Sequence, residues 1–190
     1  MEALKYKHLS FEDYLSIERS NNQRYEYENG MLIKMAGGTI AHSRISKNMI
    51  RRLEEQTEDK GCYSLTGDAK ISIESLNRFY YADALLVCND KNSGDELIVS
   101  DPVLIVEVLS KSTEARDRGE KFKAYRKIPS LQAYVLIDQY SISVEWYVRV
   151  GNFWRLYTRE RMEDTIDILD LGISLPLSLI YRGISVSTAV

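Results

Sequence analysis

Two cysteines, three prolines and two histidines in 190 residues rule out several kinds of protein at once. So few cysteines cannot build a disulfide-rich scaffold or a four-cysteine zinc site, and so few prolines argue against a long extended linker. No apolar run approaches the roughly 18 residues that a membrane span needs, and Met1 to Lys7 lacks the apolar core of a secretory leader. The expectation is a cytoplasmic protein that does not enter a membrane, with Cys62 and Cys88 as two partly buried thiols. An excess of basic charge is also missing. Lys and Arg number 25 against 28 Asp and Glu, for a net charge of −3 and a pI of about 5.5. A constitutive charge-driven grip on nucleic acid usually shows the opposite balance, so any DNA contact must be local. What is present in quantity is apolar and charged material, 44% and 28%, the balance of one globular domain spanning 1–190 with a sizeable core.

The chain then divides by periodicity. Ser10 and Asp13 have the spacing of a capping box ahead of Phe11, Tyr14, Leu15 and Ile17, which predicts a short first helix. In RYEYENGMLIKM, Asn29-Gly30 can take the positive φ angles of a tight hairpin turn, which places Glu26 on its first strand. From Thr39, apolar residues at three- and four-residue steps predict a long second helix that Gly61 closes. CYSL, KISI, FYYADALLVC and VLIVEVL read as successive strands, the last two separated by a polar loop from Asn89 to Ser100. Thr113 to Lys127 reads as a third helix ending before Pro129, with Ser110, Ser112 and Thr113 as caps. YVLI is a further buried strand. SVEWYVRV, FWRLYT and TIDIL form a C-terminal antiparallel extension with a turn at Gly151-Asn152. The order predicts an α+β fold, close to α/β, around a mixed central sheet flanked by helices.

Two acids stand where acids are costly. Glu107 interrupts VLIVEVL, which is apolar on both faces, and Asp83 heads the apolar run ALLVC. A buried carboxylate takes up a proton, pairs with a cation or binds a metal. On paired strands about 4.8 Å apart, Asp83 and Glu107 could share one hard cation, Mg²⁺ or Mn²⁺, which prefers oxygen ligands. Equally, Glu107 could pair with a core Lys or Arg while Asp83 caps a strand. Spacing alone leaves both readings open.

Taken together, YYADALLVC, VLIVEVLSKST and DRGEKFKAYRKIPSLQAYVLID, with RYEYENG and AHSRISKNM, resemble the Uma-type family of restriction endonucleases in the PD-(D/E)XK nuclease superfamily. The resemblance implies a four-stranded mixed sheet flanked by helices, with Asp83 and Glu107 as metal ligands, Glu26 as a third acid near them and His42 as a further site residue. Ala82 replaces the usual proline. Leu109 replaces the usual lysine of the E-x-K motif, and the resemblance moves that role to Lys121 in a D-x-x-x-K-x-x-x-Y pattern with Asp117 and Tyr125. Residues four apart form one stripe along a helix, whereas Lys123 is turned about 200° from Lys121. A solvent-exposed ion pair has the same spacing. For Glu26 the plain alternative is a salt bridge to Arg24 or a neighbour, and for His42 a hydrogen-bonded packing role.

The resulting expectation is a Mg²⁺- or Mn²⁺-dependent endonuclease hydrolysing phosphodiester bonds in DNA. Lys121, Lys123, Arg126 and Lys127 offer local positive charge, and a homodimer would use the aromatic stretch EWYVRVGNFWRLY. The alternatives are a nuclease-fold binding or assembly module acting with mobile-element or defence proteins, and a hydrolase of smaller phosphate esters.

Overall fold

Local signals in the first third are expressed directly. The computed structural model describes residues 3–4, 9–35, 37–88 and 98–186. Strand β1 (Ala3–Leu4) leads to helix α1 (Phe11–Asn21), whose N-terminus carries the full capping box, with Ser10 accepting from Asp13 N–H and Asp13 accepting from Ser10 N–H. Strands β2 (Tyr25–Glu28) and β3 (Met31–Lys34) form the expected hairpin, with φ of 46° at Asn29 and 95° at Gly30. Thr39 caps α2 (Ile40–Thr57) through His42 N–H, and a 3₁₀ turn ends at Gly61.

Next come β4 (Tyr63–Thr66) and β5 (Lys70–Ile73), then β6 (Arg78–Tyr81) and β7 (Ala84–Val87). FYYADALLVC is therefore two strands, not one. The chain leaves one sheet after Tyr81 and joins another at Ala84, with Ala82 and Asp83 at the corner. A continuous apolar run could not reveal this, because both segments are buried. The short β8 (Ile98–Val99) and central β9 (Leu104–Leu109) follow. Of the predicted loop from Asn89 to Ser100, residues 89–97 lie outside the described residues.

Helix α3 starts as Glu114–Arg116, passes through a π turn at Asp117–Lys121 and finishes as Phe122–Tyr125. The predicted hydroxyl cap is absent at its start. Thr113 makes no side-chain cap bond, and its hydroxyl lies 3.0 Å from that of Ser110. The chain ends with β10 (Ala133–Asp138), β11 (Val144–Val150), β12 (Phe153–Arg159), β13 (Thr165–Ile168), β14 (Ile173–Pro176) and a short helix, Leu177–Ile180.

One sheet has the order β1-β3-β2-β6-β5-β8, the other β12-β11-β10-β9-β7-β4. The second is the mixed central sheet, with β9 parallel to β10 and its other pairings antiparallel. It has six strands where the resemblance implied four. The β11–β12 hairpin extends it as expected, but TIDIL does not join. Instead β13 pairs with β14 in a separate ribbon, burying Ile166, Ile168, Ile173 and Leu175 in the core that α2 forms through Ile45, Met49 and Leu53.

Layering follows from the two-residue period of the strands. Along β9, Leu104, Val106 and Val108 join the α2 core, while Ile105 and Leu109 join a second core with Ile71 and Tyr80 of the first sheet and Phe122 and Tyr125 of α3. Glu107 shares the face of Ile105 and Leu109, so its carboxylate enters the layer between the sheets. A third cluster seats α1 on the first sheet through Tyr14, Tyr25, Tyr27, Leu32 and Phe79.

The cysteines overturn the expectation of free thiols. Because Tyr63 pairs with Val87, Cys62 and Cys88 fall opposite each other one step beyond, and their sulfurs are bonded. The argument for a reducing compartment from unpaired thiols falls with that. Among the described residues, no helix is long and apolar enough to cross a membrane.

Candidate active site between the sheets

Register brings the two strand acids together. Ala84 pairs with Val106, so Asp83 continues the ladder opposite Glu107. Both line a cavity of about 270 Å³, together with Glu26, His42, Asp117 and Lys121. The corner at Asp83 is fixed from both sides: its N–H donates to Val106 O at 3.1 Å, and its Oδ2 accepts from Val108 N–H at 2.6 Å. The side chain thus serves a strand N–H where the ladder stops. The same Oδ2 lies 3.2 Å from His42 Nε2 in the first turn of α2. Gly38 packs against that imidazole so closely that an added Cβ would lie 2.9 Å from Nδ1.

Lys121 occupies the centre. Its Nζ lies 2.9 Å from Glu107 Oε1, 2.8 Å from Glu26 Oε1, 3.6 Å from Asp117 Oδ1, and donates to Tyr81 O at 3.1 Å. Glu107 is 4% exposed, Lys121 6% and Asp117 2%, so water does little to screen these contacts. Tyr125 OH donates to the same Glu107 oxygen at 3.0 Å. The predicted stripe of Asp117, Lys121 and Tyr125 is therefore an internal one, while Lys123 is exposed. In each strand carboxylate the bonds from these neighbours converge on one oxygen, Oδ2 of Asp83 and Oε1 of Glu107.

Arg116 is the residue that periodicity does not single out. It binds Glu26 through Nη1 and Glu28 through Nη2. In an ideal α-helix Arg116 and Lys121 would stand about 140° apart. The wider winding of the π turn brings both cations to Glu26, and such turns recur at functional sites. Arg24, one partner that the plain alternative offered Glu26, pairs with Asp68. Gln139 is a second residue without a sequence signal. It is buried, donates to Leu109 O at 2.7 Å, and meets the Thr39 hydroxyl, which ties the end of β9 to the start of α2.

The electrostatics are those of crowded acids. Burial alone would raise Glu26, but Lys121 and Arg116 hold it below the usual carboxylate range. Burial pushes Glu107 well up against the pull of Lys121, and repulsion from Asp117 and Asp83 adds to it. Asp117 is also raised, chiefly by burial. Burial would lower Lys121, yet Glu107, Glu26 and Asp117 keep it firmly protonated. His42 is likewise raised despite its burial, by the hydrogen bond and charge of Asp83.

Among the described residues no group of three or more His, Cys, Asp or Glu side chains is arranged as a metal cage. The Asp83 and Glu107 pair nevertheless fits a hard divalent cation. Its donors are carboxylate oxygens, and Mg²⁺ typically takes one or two of these while keeping water and phosphate as its other ligands. A cation would also offset the burial, and the smaller repulsion from Asp117 and Asp83, that raise Glu107.

Known proteins resemble this chain in sequence and in fold. Two uncharacterised proteins of Synechocystis sp. are 31% identical over 177 residues, covering 93% of each chain, and 33% identical over 164 residues, covering 85% of this chain and 92% of the other. The crystal structure of an Anabaena variabilis protein described as a "putative nuclease belonging to DUF820" superposes with a TM-score of 0.70. It covers 84% of this chain and 90% of its own at 13% identity, a likeness of fold. The family model described as "Uma2: Putative restriction endonuclease" matches residues 11–178, and the chain belongs to that family.

Proposed function

We propose that this protein is a metal-dependent endonuclease that hydrolyses phosphodiester bonds in DNA. Asp83 and Glu107 hold Mg²⁺ or Mn²⁺, and Glu26, His42 and Lys121 complete the site. The observation that carries the reading is the meeting of both strand acids with a buried ammonium in one cavity, Lys121 Nζ being 2.9 Å from Glu107. Family membership supports a nuclease in the coarser sense.

When bound, the metal would act as a Lewis acid toward the phosphate and make a water more acidic. The chain's own residues prepare that site. An ammonium has three donors, and those of Lys121 face Tyr81 O, Glu107 and Glu26 within 3.1 Å. Lys121 therefore works first as a positioning residue, holding Oε1 of Glu107 and Oε1 of Glu26 together in the lining of the cavity. His42 holds Asp83 through Oδ2, and Arg116 holds Glu26 in place. Burial of the cluster keeps bulk water from screening the charges that meet the phosphate.

Plasmid DNA incubated with Mg²⁺ or Mn²⁺ tests the reading: nicking by wild type and its loss in Glu107→Gln are expected. The reading also pairs two copies through β12. That strand is the outer edge of its sheet, with Phe153 75% exposed and Leu156 48% exposed. Sedimentation is expected to show a dimer at micromolar concentration, and a monomer throughout that range rejects the pairing.

A further inference from the structure

Beside its acids, the lining of the cavity holds an exposed aromatic and an exposed basic side chain. Tyr140 lines the mouth and is 45% exposed. Lys111, also on the lining, is exposed and places its Nζ 5.6 Å from the centre of the Tyr140 ring. An aromatic and a cationic side chain therefore stand together on the lining of the cavity that holds Asp83 and Glu107.

The Tyr140 backbone is held firmly. Asp138 Oδ1 accepts from Tyr140 N–H at 2.6 Å, and Asp138 Oδ2 accepts from the Ser141 hydroxyl at 3.0 Å. A ring on a fixed turn loses little conformational freedom when a ligand covers it.

We infer, building on the nuclease reading, that the preferred substrate is single-stranded DNA, free or as a flap, whose base stacks on Tyr140 while its phosphodiester enters the cavity beside Asp83 and Glu107. The charge balance argues for this class. Duplex binding draws most of its affinity from phosphate neutralisation by Lys and Arg, and this chain carries a net charge of −3. Base stacking is tolerant of sequence and adds ~1–3 kcal/mol per base to the phosphate contacts of a single strand. In an intact duplex the base faces are covered by their neighbours, so the exposed ring would have nothing to meet. The cavity, about 270 Å³, is at the small end of ligand sites and suits one nucleotide rather than two paired strands. Lys111 is placed to meet the phosphate next to the stacked base.

Fluorescence anisotropy with a labelled 20-nucleotide single strand and with its duplex tests this, in Ca²⁺ to satisfy the carboxylates. Wild type is expected to bind the single strand more tightly. Tyr140→Ala should weaken that binding about 5- to 150-fold, the equilibrium equivalent of ~1–3 kcal/mol for one base stack, and leave duplex binding unchanged. Tyr140→Phe, which keeps the ring, should bind like wild type. Equal or tighter binding to duplex, or an unaffected Tyr140→Ala, overturns the inference. If the plasmid is still nicked, the nuclease reading survives that result, whereas binding to neither probe and no nicking would remove both.

Discussion

Replacing Lys121 by Met keeps most of the side-chain volume and removes only the charge and its donors. The ammonium lies within 3.6 Å of Glu107, Glu26 and Asp117, all at most 4% exposed. Glu26 keeps Arg116, but Glu107 loses its only cation within ion-pair range among the described residues. Removing one partner of a buried pair typically costs ~3–5 kcal/mol, a large part of the ~5–15 kcal/mol that stabilises a domain. At roughly 2–4 °C per kcal/mol for this size, Tm should fall by about 6–20 °C. Thermal and urea unfolding followed by circular dichroism measures the loss. Adding Glu107→Gln should recover part of it, because the neutral amide no longer needs the ammonium, and the double-mutant cycle isolates that coupling. The exposed Lys123→Ala should match wild type. A Lys121→Met protein within about 1 kcal/mol of wild type at neutral pH would refute the argument.

Two further outcomes follow from the same geometry. Gly38→Ala should displace His42 from Asp83 and lower DNA cleavage to the level of His42→Ala, while Gly37→Ala, where an added Cβ meets nothing within 4 Å, should cleave normally; equal activity in both glycine variants would contradict the role of Gly38. Glu26 has a depressed pKa, so the stability it contributes is present above the unfolded carboxylate value of about 4.3 and is lost as pH falls through the lower folded value. Glu26→Gln should therefore be less stable than wild type at pH 7, and the gap should close under acid in pH-dependent urea unfolding; a gap that does not change with pH would count against the sign.

Local chemistry made much of the fold readable. The Ser10–Asp13 box, the Asn29-Gly30 turn and the periodicity of α2 each depend on neighbours in the chain, and each stands as expected. The stripe of Asp117, Lys121 and Tyr125 was also legible, because four-residue spacing survives the π turn well enough to keep all three inside. What stayed hidden depends on distant partners. The corner at Asp83 is made by the N–H of Val108, and the Cys62–Cys88 bond by the pairing of β4 with β7. Arg116 escaped because α-helical spacing puts it on the wrong side of Lys121. His42 was named as a site residue only through the family resemblance, since nothing nearby in sequence signals Asp83 as its partner. Gln139 and Tyr140 follow the last apolar residue of β10, where a polar pair ordinarily reads as a turn.

Metal-dependent cleavage by matched proteins tests the central claim most directly. Supercoiled plasmid is incubated with wild type and Glu107→Gln in Mg²⁺, in Mn²⁺ and in EDTA, with both proteins first shown to be folded. The account predicts nicked and linear DNA from wild type with either metal, none in EDTA, and none from Glu107→Gln under any condition. Cleavage by Glu107→Gln at the wild-type rate, or wild-type cleavage that persists in EDTA, would contradict it.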